Sequence, residues 1–152
     1  ITAANASSIS DGASALVLTS SAYAQQKNLQ PLARIVAHAT HAQLPAEFTL
    51  APIGAIKKVL EKAGWNSVEV DLFEINEAFA VVSLLAIQEL GLDENKVNVN
   101  GGACALGHPI GSSGSRIVVT LINALKQRGL TRGVASLCIG GGEATAVAVE
   151  IL

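Results

Sequence analysis

Apolar positions change period several times along this chain, and each change marks an element. Ile1–Gly12 is small, polar and rich in Asn and Ser, which predicts an irregular opening. Ala13–Thr19 is a short apolar run suited to a buried strand, and Ser20–Asn28 reads as a polar helix. After Pro31, Leu32–Thr40 predicts a second strand, and His41–Thr49 a loop around Pro45. Pro52 opens an amphipathic helix that gathers Ile53, Ile56, Val59, Leu60 and Ala63 on one face and stops at Gly64. Val70–Ile75 predicts a strand, and Glu77–Leu90 a helix that is apolar nearly all round and therefore expected between layers. Lys96–Val99 predicts a short strand, a glycine-rich loop holds Gly101, Gly102, Gly107 and Gly111, and a helix follows from Ser113 to Arg128. Gly133–Ile139 and Ala144–Ile151 read as two strands joined by Gly140-Gly141-Gly142.

From Leu32 onward the order is β-α-β-α-β-α-β-β. Strands alternating with helices predict an α/β fold, with a mixed, mostly parallel sheet, helices on both faces and one antiparallel end. Residues 1–30 supply a strand and a helix that do not complete a domain. They read as the tail of a preceding one, with 31–152 as the main domain. Ile1 is not an ordinary start, so further sequence is expected upstream.

Composition removes several function classes. Half of the 152 residues are apolar, only 14% are charged, and mean hydropathy is +0.45. That argues against disorder. Ten scattered Lys and Arg against twelve Asp and Glu give a net charge of −2, which argues against a nucleic-acid surface. No apolar run reaches the roughly 18 residues of a membrane span. Cys104 and Cys138 set no disulfide framework and read as buried or reactive thiols of a reducing compartment, although their spacing leaves a bond between them open.

Chemistry-bearing groups gather where predicted strands end. Asn76 follows Val70–Ile75, His108 lies in the glycine-rich loop after Lys96–Val99, and Cys138 closes Gly133–Ile139 just before three glycines. In sheets of this kind ligands bind beyond the carboxyl ends of strands, so the three point to one shared site. Taken singly, each has a plain alternative: a helix cap, a satisfied loop histidine and a small core residue. The glycine run can aim backbone N–H groups at a developing oxyanion, or can serve a tight hairpin alone. Cys104 and His108 stand four apart, but Gly107 and Pro109 argue against a helix there and no further pair completes a zinc set. The run Gly107–Gly114 lacks the Gly-Lys-Ser/Thr of a phosphate loop.

Four segments carry a resemblance. Asn76-Glu77-Ala78-Phe79-Ala80, Asn98-Val99-Asn100-Gly101-Gly102-Ala103, Gly107-His108-Pro109-Ile110-Gly111 and Cys138-Ile139-Gly140-Gly141-Gly142 resemble, in order and spacing, the signatures of thiolases. Thr2–Ser7 with Asp11-Gly12-Ala13 is similar to the segment closing the first thiolase half. The resemblance covers essentially the whole chain and implies a layered thiolase fold. It implies an acyltransferase that makes or cleaves 3-ketoacyl-CoA, with acetyl-CoA, acetoacetyl-CoA and coenzyme A as substrates. The Cys-Ile-Gly-Gly-Gly-Glu arrangement and Ala51-Pro52-Ile53 favour the two-carbon, acetoacetyl-CoA type over the β-oxidation type.

By that resemblance Cys138 is the base that removes an α-proton and returns it in cleavage. His108 activates the nucleophilic thiol and donates to the first thioester oxygen. Asn76 holds a water in that oxyanion hole, and the Gly140 N–H serves a second one. Ala78 and Phe79, with Ala37 and His38 on the Val36–Thr40 segment, are expected at the substrate. No resident cofactor or transition-metal site is expected, though carbonyls of Ala37–Ala42 are candidates for a potassium ion.

One departure outweighs the matches. The acyl-carrying cysteine of a thiolase opens a helix in its first half, and no Cys-x-Ser-Gly segment stands here. The chain resembles the C-terminal part and is expected not to turn over alone. The competing readings are a ketoacyl synthase, which lacks its second histidine motif here, and a non-catalytic half that binds acyl-CoA or a partner. A dimer or tetramer is expected of the full-length form. The compartment defaults to the cytoplasm, with mitochondrion and peroxisome open.

Overall fold

A computed structural model describes residues 1–152. Helix α1 is Ser21–Gln26, strand β1 Ala33–Ala42, helix α2 Ala51–Ala63, strand β2 Leu72–Ile75 and helix α3 Ala80–Leu90. The short helix α4 (Ala103–Leu106), the long helix α5 (Ile110–Arg128) and strands β3 (Arg132–Cys138) and β4 (Glu143–Ile151) complete it. The sheet order is β1-β4-β3-β2. β2 runs parallel to β3, while β4 is antiparallel to both β3 and β1. Three strands therefore share one direction, and the reversed strand lies inside the sheet rather than at the expected end. The glycine turn sends β4 back beside β3, and its far edge then serves β1.

Alternation along the strands feeds two cores. Phe73, Ile75, Val134, Cys138, Ala144, Ala146 and Ala148 face α2 and α3. Leu72, Ala135 and Val149 face α5 through Ile117, Leu121 and Leu125. The alanine ladder of β4 leaves room for α2 to lie close, and α2 drives Ile56 and Val59 to full burial. Each such side chain contributes about 1.5–3 kcal/mol. α2 begins with Pro52 in its first turn and ends at a left-handed Gly64, as its sequence predicts.

Several expectations are corrected. Ala13–Thr19 forms no strand: no sheet edge reaches it, and Val17 and Leu18 are exposed. The predicted helix from Glu77 begins only at Ala80, because Ser7 N–H donates to the Ala78 carbonyl and Ala80 N–H to that of Asn5. These bonds hold Asn76–Phe79 out of the helix. The same helix is not sealed between layers in this chain, since Leu84 is exposed. The strand expected at Lys96–Val99 shrinks to one bridge between Val97 and Phe73. Asn98 takes positive φ (50°), and its side-chain amide replaces the next ladder rung, accepting from Ile75 N–H and donating to Ile75 O, both at 2.8 Å. Finally, α5 starts at Ile110, one turn earlier than expected, and the two cysteines are unbonded.

Candidate active site

The carboxyl ends of β2 and β3 lie side by side, with Asn76 N–H donating to Ser136 O at 2.9 Å. Asn76 is buried and follows Glu74 in strand alternation, so both turn toward α5. Gly107, with φ 93°, swings the chain into His108, whose N–H donates to Ser8 O at 3.0 Å. His108 Nε2 lies 3.4 Å from Asn76 Nδ2, and its Nδ1 lies 2.6 Å from Ser113 Oγ on the first turn of α5. One turn further, Arg116 Nη2 donates to Asn76 Oδ1 at 3.3 Å, and Nη1 stands 3.8 Å from the Glu74 carboxylate.

The electrostatics follow from burial. His108 is held below its usual range, first by burial and then by the Arg116 charge, so it is neutral at neutral pH. Glu74 is pushed up to about 7 by burial, against the pull of Arg116. Its Oε1 and the Arg116 Nη1 are buried without hydrogen-bond partners. Cys138 is buried at the end of β3, and burial pushes its thiol up, opposed only by its own backbone hydrogen bond. The lowered thiol that a resting base would want is therefore not produced by this chain's own groups.

Glu77 organises the surroundings. Its carboxylate accepts from Ser83, Asn98 and Cys104 N–H, each at 3.3 Å, and fills the space beside Gly102 that any side chain would need. Two of the four motifs are clasped by that one carboxylate. Cys104 is exposed, its Sγ directed at the Asn5 and Glu77 carbonyls, and burial and Glu77 push its thiol up. Gly140 sits at the exposed turn, where its N–H has no partner.

The structure thus brings Asn76 and His108 into contact and sets Cys138 and Gly140 at the same end of the sheet. Ala78 is tied to Ser7, and Phe79 packs edge-on against Phe48 at 6.0 Å. Ala37 and His38 stand apart, paired with Ala148 and Val147 in β1. The carbonyls of His38 and Thr40 accept from Lys62 and Lys58. No group of three or more His, Cys, Asp or Glu is placed to hold a metal ion, and no helix is long and apolar enough to cross a membrane. The sequence reading did not single out Glu74, Ser113 and Arg116. Its available signal was a carboxylate inside the apolar strand Leu72-Phe73-Glu74-Ile75, which needs a buried cation nearby.

His108, the Cys138 thiol and the unpaired Gly140 N–H thus lie at one end of the sheet. Residues 29–151 match the family described as "Thiolase, C-terminal domain", and the chain belongs to that family. It is 56% identical over its full length to a probable acetyl-CoA acetyltransferase of Dictyostelium discoideum, of which it covers 37%. It is 53% identical, over 99% of its length, to the cytosolic acetyl-CoA acetyltransferase of Mus musculus, covering 38% of that protein. The Acat5 thiolase of Ascaris suum, solved in complex with coenzyme A, superposes with a TM-score of 0.95 and 50% identity over the whole chain and 39% of that structure. The chain therefore spans less than two-fifths of the relatives it matches.

Proposed function

We propose that this chain is the base-carrying part of an acetyl-CoA acetyltransferase, which joins two acetyl-CoA into acetoacetyl-CoA and runs the reverse thiolysis. The single observation that carries this reading is His108 held between Asn76 and Ser113 at the strand ends where Cys138 and Gly140 also lie. In the forward direction an acyl group rides on a thiol, with coenzyme A leaving after taking a proton. Cys138, as thiolate, removes an α-proton from the second acetyl-CoA. The carbanion attacks the acyl carbon, the C–S bond breaks, and the carrier sulfur leaves as thiolate. His108 and Asn76 face the first thioester oxygen, with a water held by Asn76, and the Gly140 N–H faces the second.

The carrier thiol is not Cys104, whose proton is held by carbonyls and whose thiolate is opposed by Glu77. It is supplied by the part of the protein that the relatives have and this chain does not span, so this chain alone gives no turnover. Residues 1–30 would then finish the preceding domain, whose surface covers Val17, Leu18 and Leu84. We read the full-length form as a cytosolic homo-oligomer, the compartment following the name of the mouse relative.

The test is acetoacetyl-CoA cleavage by the full-length protein. His108→Ala and Cys138→Ala should each lower kcat by about 10²–10⁴, the usual share of a proton-transfer group. Near-normal turnover in both would overturn the reading.

A further inference from the structure

We propose that Arg116 is a positioning residue for Asn76: its guanidinium selects which end of the buried amide is offered to the strand-end site, and Glu74 is the counter-charge that keeps it there. The role in turnover rests on the acyl-transfer reading.

The Glu74–Arg116 pair is poorly built for stability. Glu74 and Asn76 are consecutive same-face residues of β2, 2% and 1% exposed, and Arg116 reaches both from α5. Its Nη1 stands 3.8 Å from the Glu74 carboxylate, beyond hydrogen-bonding distance, and both Nη1 and Glu74 Oε1 are buried without partners. A buried ion pair offsets its lost hydration only when the geometry is close and the remaining polar atoms are bonded. Neither condition holds here. The one hydrogen bond that the guanidinium makes runs from Nη2 to Asn76 Oδ1, at 3.3 Å.

That bond settles the orientation of a two-ended group. A primary amide can turn end for end about its last torsion with almost no change in shape, exchanging an acceptor for a donor. A guanidinium has no acceptor, so it holds Oδ1 and leaves the NH2 end turned toward the site, where Nδ2 lies 3.4 Å from His108 Nε2. An NH2 donates to a water beside it, so both hydrogens of that water stay free for a thioester oxygen gaining negative charge. The flipped amide would take one of those hydrogens and turn its own oxygen toward the charge. Glu74 answers the guanidinium from the β2 side, so the Arg116 side chain stays inside rather than turning to solvent.

The test is a kinetic double-mutant cycle in acetoacetyl-CoA thiolysis by the full-length protein. It is run at about pH 8, above the histidine range, so that the Arg116 charge does not act through His108 protonation. Arg116→Met should lower kcat about tenfold, the equivalent of one hydrogen bond, with KM within about twofold. In an Asn76→Ala background, itself slower, the same substitution should change kcat by less than about twofold. A merely structural defect would persist there, and the two losses would multiply. If Arg116→Met does not fold, the pair Glu74→Gln and Arg116→Met, which leaves no uncompensated buried charge, takes its place in the cycle. Losses that multiply, or a kcat untouched by the Arg116 substitution while Asn76→Ala is slow, overturn the proposal alone. Normal turnover in both Asn76→Ala and His108→Ala overturns the acyl-transfer reading, and the positioning role with it.

Discussion

Glu74 shows how much a single buried carboxylate can reveal. Its pKa is raised from the ordinary 4.5 to about 7, so between those values the folded chain holds a proton that the unfolded chain releases. Stability from this group therefore falls as pH rises from 4.5 and reaches its lowest level above 7. Glu74→Gln removes the effect. Its melting point relative to the unaltered chain should improve between about pH 5.5 and pH 8 by the equivalent of about 2 kcal/mol. A difference that does not change with pH would contradict the burial argument. His108 shifts the other way. Burial and Arg116 hold it low, so its base form persists to more acid pH, and the acid limb of kcat/KM in the full-length protein should lie below the ordinary 6.5. A limb above 6.5 would contradict a buried ring beside a cation.

At the scale of elements, α2, the long helix and the closing hairpin were legible because local signals decide them. Pro52 and Gly64 bound α2, and the glycine run turns β3 into β4. What was not legible depends on distant partners. Nothing local stops the Glu77–Leu90 pattern from being helical at its start, but backbone bonds from Asn5 and Ser7 hold that stretch extended. Asn98 reads as an ordinary strand residue until its side chain is seen to replace a ladder rung for Ile75. Ala13–Thr19 has the composition of a strand but no edge to join. Packing between elements also sets a test. A Cβ on Gly133 would stand 2.8 Å from a Leu121 methyl, between β3 and α5. Gly133→Ala should therefore destabilise by about 1–3 kcal/mol, read by thermal melting. An unchanged melting point would mean that α5 can lift from the sheet.

At the scale of the whole molecule, the site exists because β2 and β3 end together and the loop before α5 folds back over them. Asn76, His108 and Cys138 were recognisable in sequence as strand-end residues. The shell behind them was not, because Glu74 and Arg116 meet only once β2 lies against α5. Val17, Leu18 and Leu84 remain exposed in the chain taken by itself. That fits a part whose relatives extend well past it. The proposed acyl transfer divides the labour between two thiols on this chain, Cys138 at the reacting atoms and Cys104 outside them. The most direct measurement is acetoacetyl-CoA thiolysis by the full-length protein with Cys138→Ser and Cys104→Ser compared side by side. The first should lose at least about a hundredfold in kcat while the second stays within about twofold. Equal activity in the two, or loss confined to Cys104→Ser, would contradict it.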